Sequence, residues 1–241
     1  MTITATPETI AAPAAVATFH VHPAKLDRAL RIAQLAASKD GTLPILNAVA
    51  LTVTGNGNLV AQATDRYMLA RAAVTLNTDN ITDVDGLVAE PALIPVSALA
   101  PLYAWLKPHT KAFHSLSFKV QIIDVPFPAG SRQLILTEPI ENTTHTVVLL
   151  NGDYPKISQL FRPWSNVSDN DRTALDPAKL EKVTKMAKLG CERNTPMEIN
   201  LGPAAGKPSM FRGRADGRIV WEALVMPVRL EGGQLEESTQ L

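Results

Sequence analysis

The feature that most restricts the fold of this chain is a pattern used three times. A stretch of helical periodicity is preceded by a short strand-like segment and followed by several more. The spacing predicts a first helix over about Pro23 to Ser38, with Leu26, Ala29, Leu30, Ala33 and Ala37 on one face. A second, over about Pro95 to Leu106, aligns Leu99, Leu102, Tyr103 and Leu106. A third opens at Asp176-Pro177, an N-cap residue followed by proline in the first turn, and stops near Gly190.

Strands are expected in the intervals. Val49 to Thr54 meets Leu59 to Ala63 across Gly55-Asn56-Gly57-Asn58, a strong hairpin signal. Leu116 to Val125, Gln133 to Thr137 and His145 to Leu150 serve the second unit. Met197 to Leu201 serves the third, with Met210 to Arg214 and Ile219 to Val225 joined across Ala215-Asp216-Gly217-Arg218. Short strands are expected before the helices at Phe19 to Val21, Leu87 to Ile94 and Thr173 to Leu175. Strands arriving in runs joined by tight turns give an α+β fold with mostly antiparallel pairing, built from a β-α-β-β-β unit. The expected organisation is a disordered arm over 1–16, two units over 17–152, a linker over 153–170, one unit over 171–230 and a flexible tail over 231–241.

An apolar content of 46% suits a globular protein with a real core. No apolar run approaches the roughly 20 residues that span a bilayer, and Met1 to Val16 lacks the form of a secretory signal. A single cysteine, Cys191, excludes an intrachain disulfide and suits the cytoplasm.

Several apparent sites dissolve on inspection. Gly202 to Ser209 is one residue short of a phosphate loop, and Pro208 removes an amide where the helix should start. His20 and His22 share one side of a strand but have no further ligand near them, and zinc needs about four. Asp79, Asp83 and Asp85 lack the spacing of a calcium loop. No catalytic residue, metal or cofactor is indicated, and an enzyme is not expected.

Net charge is zero, so any affinity for an acidic partner must come from how charges are distributed. On the third helix Lys182, Lys185 and Lys188 fall opposite Leu180, Val183 and Ala187, Lys179 borders them, and Glu181 is the one acid there. On the first, Lys25, Arg28, Arg31 and Lys39 lie to one side of the apolar face. Lys107 and Lys111 follow the second. Periodicity alone makes these ordinary solvated faces.

Five segments change that reading. In order they are Leu43-Pro44-Ile45-Leu46-Asn47, Ala63-Thr64-Asp65-Arg66-Tyr67-Met68-Leu69-Ala70, Asn151-Gly152-Asp153-Tyr154-Pro155 with Leu160, Glu192-Arg193-Asn194-Thr195-Pro196, and Met226-Pro227-Val228-Arg229-Leu230. Each resembles a segment of the bacterial β sliding clamp family, in family order. The resemblance implies a ring around duplex DNA whose inner helices meet phosphates without reading bases, which permits sliding. It assigns DNA contact to the ten cations above.

It also implies a groove for a short peptide of DNA polymerase or clamp loader. The matching positions are Leu46, Thr64, Arg66, Tyr67, Met68 and Leu69, with Pro155, Gln159 and Leu160 of the linker. Leu224, Met226, Pro227, Val228 and Arg229 complete them. Twelve units close the family's rings, so three per chain imply a homotetramer first and a trimer second, with neighbouring subunits inverted. The shortness of the chain would suit a bacteriophage. The alternative is a clamp-like interaction protein that forms no ring.

Overall fold

The computed structural model describes residues 15–76, 87–88, 90–111, 116–125, 131–161, 173–192, 195–202 and 206–228. The first unit comprises β1 (Ala15–Val21), α1 (Pro23–Gln34), β2 (Ala48–Val53), β3 (Asn58–Thr64) and β4 (Met68–Thr75). The second comprises β5 (Ala92–Pro95), α2 (Val96–Leu106), β6 (Phe118–Val125), β7 (Ser131–Thr137) and β8 (Thr144–Val148). The third has α3 (Pro177–Gly190), β9 (Glu198–Asn200), β10 (Ser209–Ala215) and β11 (Arg218–Val225).

Local chemistry explains the element ends. Pro23 and Pro177 start α1 and α3, where an amide proton has no helical partner. Asp176 Oδ1 caps α3 by accepting from Ala178 N–H at 2.8 Å. His22 caps α1 in the same way, Nδ1 accepting from Ala24 N–H at 3.2 Å, so it lies outside the strand that holds His20. α1 ends short of the expected Ser38 because Ser38 turns away to donate to the Leu46 carbonyl at 3.0 Å. Asp216 and Gly217 both take positive φ, +50° and +72°, as the tight β10–β11 hairpin requires.

The strands form a four-stranded sheet, β1-β6-β7-β8, and a seven-stranded sheet, β5-β2-β3-β4-β11-β10-β9. The first two units exchange their leading strands. β1 pairs with β6 of the second unit, and β5 pairs with β2 of the first, both antiparallel. The third unit continues the first unit's sheet, through Met68–Ala72 of β4 antiparallel to Trp221–Val225 of β11. The periodicity does not pick out β4, the strand on which this seam depends.

Three expectations shift. β1 begins at Ala15, inside the expected arm. The strand before α2 is only Ala92–Pro95, not Leu87 to Ile94. Thr173 to Leu175 forms no strand and is held instead by Val228 N–H donating to the Ala174 carbonyl at 2.9 Å. In the first two units the leading strand crosses to the other unit's sheet, and among the described residues no fourth unit receives the third's.

Helices α1, α2 and α3 lie on one side of the sheets, with α1 between the other two, over one continuous apolar core. A smaller core covers the opposite face of the seven-stranded sheet. There Tyr154, Ile157 and Phe161 of the linker pack on Ala48, Ala50, Leu69, Leu93, Met210 and Leu224.

Candidate functional site

The helix layer carries the cations, but the structure divides them. Arg31 donates Nε–H to Asp27 Oδ2 at 2.8 Å and lies 3.9 Å over the Tyr103 ring, so it serves the α1–α2 contact. Lys185 pairs with Glu181 at 2.6 Å along its own helix. Lys179 and Lys182 both reach Asp65 Oδ2, the latter at 3.4 Å. Lys25, Arg28, Lys39, Lys107, Lys111 and Lys188 form no ion pair among the described residues. Five of them are exposed and Arg28 is half-buried.

The buried face of α3 is Val183, Met186 and Gly190, with Leu180 and Leu189 partly exposed, so the expected Leu180–Val183–Ala187 stripe is rotated. The reason is the seam. Gly190 sits against the Trp221 indole, and that contact sets the roll of the helix.

Beside this layer, β4 and β11 part. Their pairing ends at Ala72 and Trp221, where Val220 is an extra residue against β10. The opening is a cleft of about 690 Å³ in which Lys25 and Arg28 of α1 meet Arg218 of the β10–β11 hairpin. Arg218 reads in sequence as a hairpin residue, and only the seam brings it to α1.

The peptide-groove residues also separate. Side chains alternate along a strand, so Leu69 and Leu224, paired across the seam, face away from the helices. Met68, with no exposure, lies in the helix-side core and cannot line an outer groove. Leu69 and Leu224 are themselves only 6% and 2% exposed, beneath the linker. The accessible apolar groups are Tyr67 (61%), Leu160 (55%), Val228 (46%) and Met226 (38%).

Tyr67 and Met226 adjoin, since Met226 N–H donates to the Tyr67 carbonyl at 2.9 Å. Pro155 and Gln159 are exposed on the linker and Pro227 is half-buried. Leu46 is half-buried outside both cores; its neighbour Ile45 is the one that joins the outer cluster. Arg229 lies outside the described residues, as do Asp79, Asp83 and Asp85.

The turn Asp65–Tyr67 joins the two surfaces. Thr64 Oγ1 donates to the Met68 carbonyl at 3.0 Å and accepts from Arg66 N–H at 3.1 Å. Asp65 Oδ1 accepts from the Tyr67 and Met68 amides at 3.1 and 2.8 Å. Arg66 is thereby held at φ +78°, a strained backbone for a residue with a Cβ. Asp65 Oδ2 faces α3, and Lys179 Nζ lies 5.8 Å from the Tyr67 ring centre. Burial alone would raise the Asp65 carboxyl. The Lys179 hydrogen bond and charge, with the Met68 amide and Lys182, outweigh it and hold the group below the usual carboxylate range. Sequence comparison alone placed Asp65 within a motif without giving it a role.

On the outer face Arg71 Nε donates to Glu222 at 2.8 Å while its guanidinium lies 4.1 Å from the Phe161 ring centre. Among the described residues no three His, Cys, Asp or Glu side chains converge as a metal site, and no helix is long and apolar enough to cross a membrane. The Gly202–Ser209 segment connects β9 to β10.

Helices laid side by side on paired sheets, in units that trade their first strands, define the sliding-clamp fold. Solved structures agree. A DNA polymerase sliding clamp from Pseudomonas aeruginosa matches with TM-score 0.65 and 14% identity, over 94% of this chain and 70% of that one. The DNA polymerase III beta subunit from Thermotoga maritima matches with TM-score 0.65 and 16% identity, over 93% and 69%.

The family model described as "DNA polymerase III beta subunit, central domain" matches residues 20–156. The chain belongs to the DNA polymerase III beta subunit family. Among curated relatives, the beta sliding clamp of Micrococcus luteus is 30% identical over 165 residues, covering 68% of this chain and 46% of that protein. That of Streptomyces coelicolor is 26% identical, covering 69% and 39%. The chain thus spans less than half the length of either.

Proposed function

We propose that this protein is a DNA polymerase processivity factor: a homo-oligomeric sliding clamp that encircles duplex DNA in the cytoplasm and works without catalysis. The observation that carries the reading is the helix layer. Three helices lie abreast on one side of the sheets, and Lys25, Arg28 and Lys188 stand on it outside any ion pair among the described residues. Such cations neutralise phosphates weakly and without reading sequence. Tyr67, Leu160, Met226 and Val228 supply an accessible apolar surface for a peptide of polymerase or loader.

Three units per chain favour a tetramer, with a trimer second. The domain division proposed from sequence is kept with one change: two units ending at 152, the first now opening at Ala15, and a third over 171–230, joined by the linker. Light scattering across a dilution series tests the ring, with four chains expected. In the same assembly, K25E with R28E and K188E is expected to lower DNA retention and flatten its salt dependence by about 0.9 per lost phosphate contact. Unchanged retention removes the channel assignment.

The second reading, a clamp-like protein that forms no ring, is favoured by the internal pairing of Lys179, Lys182 and Lys185. A monomer at all concentrations selects it. For the groove, Tyr67→Ala and Met226→Ala are each expected to weaken binding of a polymerase-derived peptide at least tenfold while leaving the melting temperature unchanged. Full binding by both variants places the partner elsewhere.

A further inference from the structure

We infer that the gap where β4 and β11 part binds a small organic phosphate, of the class of a nucleoside triphosphate, whose phosphate chain is held by Lys25, Arg28 and Arg218. The two strands pair only as far as Ala72 and Trp221, and beyond that point 73–75 and 218–220 are not paired with each other. The gap opens on both faces of the sheet. Its helix-side lobe is the cleft of about 690 Å³, and a second lobe of about 350 Å³ lies on the outer face, where Arg71 and Glu222 line it. Asn56, Asn58, Ala73, Ile219 and Val220 line both lobes, so the two are one passage.

The lobes differ in charge. Lys25, Arg28 and Arg218 line the helix-side lobe, where Asp216 is the one acid. None of the three cations forms an ion pair among the described residues. This lobe therefore attracts an anion, and guanidinium groups match the oxygens of a phosphate in pairs. In the outer lobe the charges cancel, since Arg71 Nε donates to Glu222 at 2.8 Å. That lobe suits an uncharged body. Val60, Ala73 and Ile219 offer it apolar contact, while Thr54, Asn56 and Asn58 can both donate and accept, as the edge of a nucleobase requires.

Size sets the class of occupant. Both lobes fall in the range of about 300–1,000 Å³ usual for small-molecule sites. A gap between two strands of one sheet admits a slender molecule and excludes a duplex. The occupant is thus distinct from the DNA proposed for the helix layer, although Lys25 and Arg28 stand in both. The site is complete within one chain and does not rest on the ring.

Titration calorimetry of the full chain with ATP, pyrophosphate and adenosine, at about 0.15 M salt, tests the site. ATP is expected to bind more tightly than pyrophosphate, and adenosine most weakly. Arg218→Ala should weaken ATP at least about tenfold, the loss of one charged hydrogen bond. Lys119→Ala removes an exposed cation from β6, away from the gap, and should leave binding unchanged. Ala73→Phe fills the outer lobe, so it should lower ATP to the affinity of pyrophosphate and leave pyrophosphate as it was. Arg218 and Ala73 are both exposed, and melting temperatures separate lost binding from lost folding. Equal weakening by Arg218→Ala and Lys119→Ala would mean diffuse attraction by charge and overturns the site. Equal affinities for ATP and pyrophosphate in the unsubstituted protein overturn the nucleoside assignment. Absence of binding at millimolar ATP overturns the whole inference.

Discussion

Trp221→Ala is expected to cost about 3–5 kcal/mol, the range for truncating a fully buried large aromatic side chain. A typical domain has only about 5–15 kcal/mol of stability in all. The indole is 1% exposed and fills the angle between α1, α3 and the β10–β11 hairpin. Two glycines make room for it. A Cβ on Gly190 would overlap the indole and approach Ile32 Cδ1 to 3.0 Å, and one on Gly213 would overlap the indole and meet Cys191 Sγ at 2.5 Å. Truncation therefore removes the element that holds α3 to the seam. Urea unfolding monitored by circular dichroism measures the effect. A loss below about 1 kcal/mol, the ordinary cost of a substitution, would show that α3 does not depend on this packing.

Asp65→Asn is expected to cost about 1.5–3 kcal/mol, the range for hydrogen bonds to a charged group. It removes the anion held by Lys179 and Lys182, which lie on an element more than a hundred positions away in sequence. Lys179 is only 17% exposed and would be left without that partner. A double-mutant cycle with Lys179→Met should be clearly non-additive.

The pH dependence has a definite sign. The folded carboxyl is depressed, so its contribution is complete above the unfolded value of about 3.9 and is lost as pH falls through the folded value. Stability of the wild type should therefore decline more steeply below about pH 4 than that of Asp65→Asn. Parallel curves would mean that Asp65 and Lys179 are not coupled in solution. Because the same turn presents Tyr67, the substitution also tests whether the docking of α3 and the groove share one support.

How much of this was legible in the sequence depends on the range of the interaction. Pro23, Asp176-Pro177 and Gly190 mark helix ends because capping and proline geometry act within one turn of chain. Gly55 to Asn58 and Ala215 to Arg218 mark hairpins because a tight turn needs specific φ angles at specific positions. The threefold unit and the α+β class follow from such local signals, whereas the family rests on the resemblance of five segments met in family order.

The site was less legible. Alternation predicts that Met68 and Leu69 face opposite ways, but only the sheet shows which side the helices cover and so which of the two is accessible. The lysines of α3 are periodic in sequence as a basic stripe, yet two of them are spent on Asp65. No feature within a few residues of Lys179 announces that partner.

The chain by itself determined where α1 and α3 start and where the two hairpins turn, because those choices are settled by atoms a few bonds apart. Tertiary structure alone decided that the first two units trade strands, that β4 joins β11, and that Trp221 rolls α3 onto the seam. Those choices compare the burial of whole faces, and burial depends on segments that only the folded chain brings together.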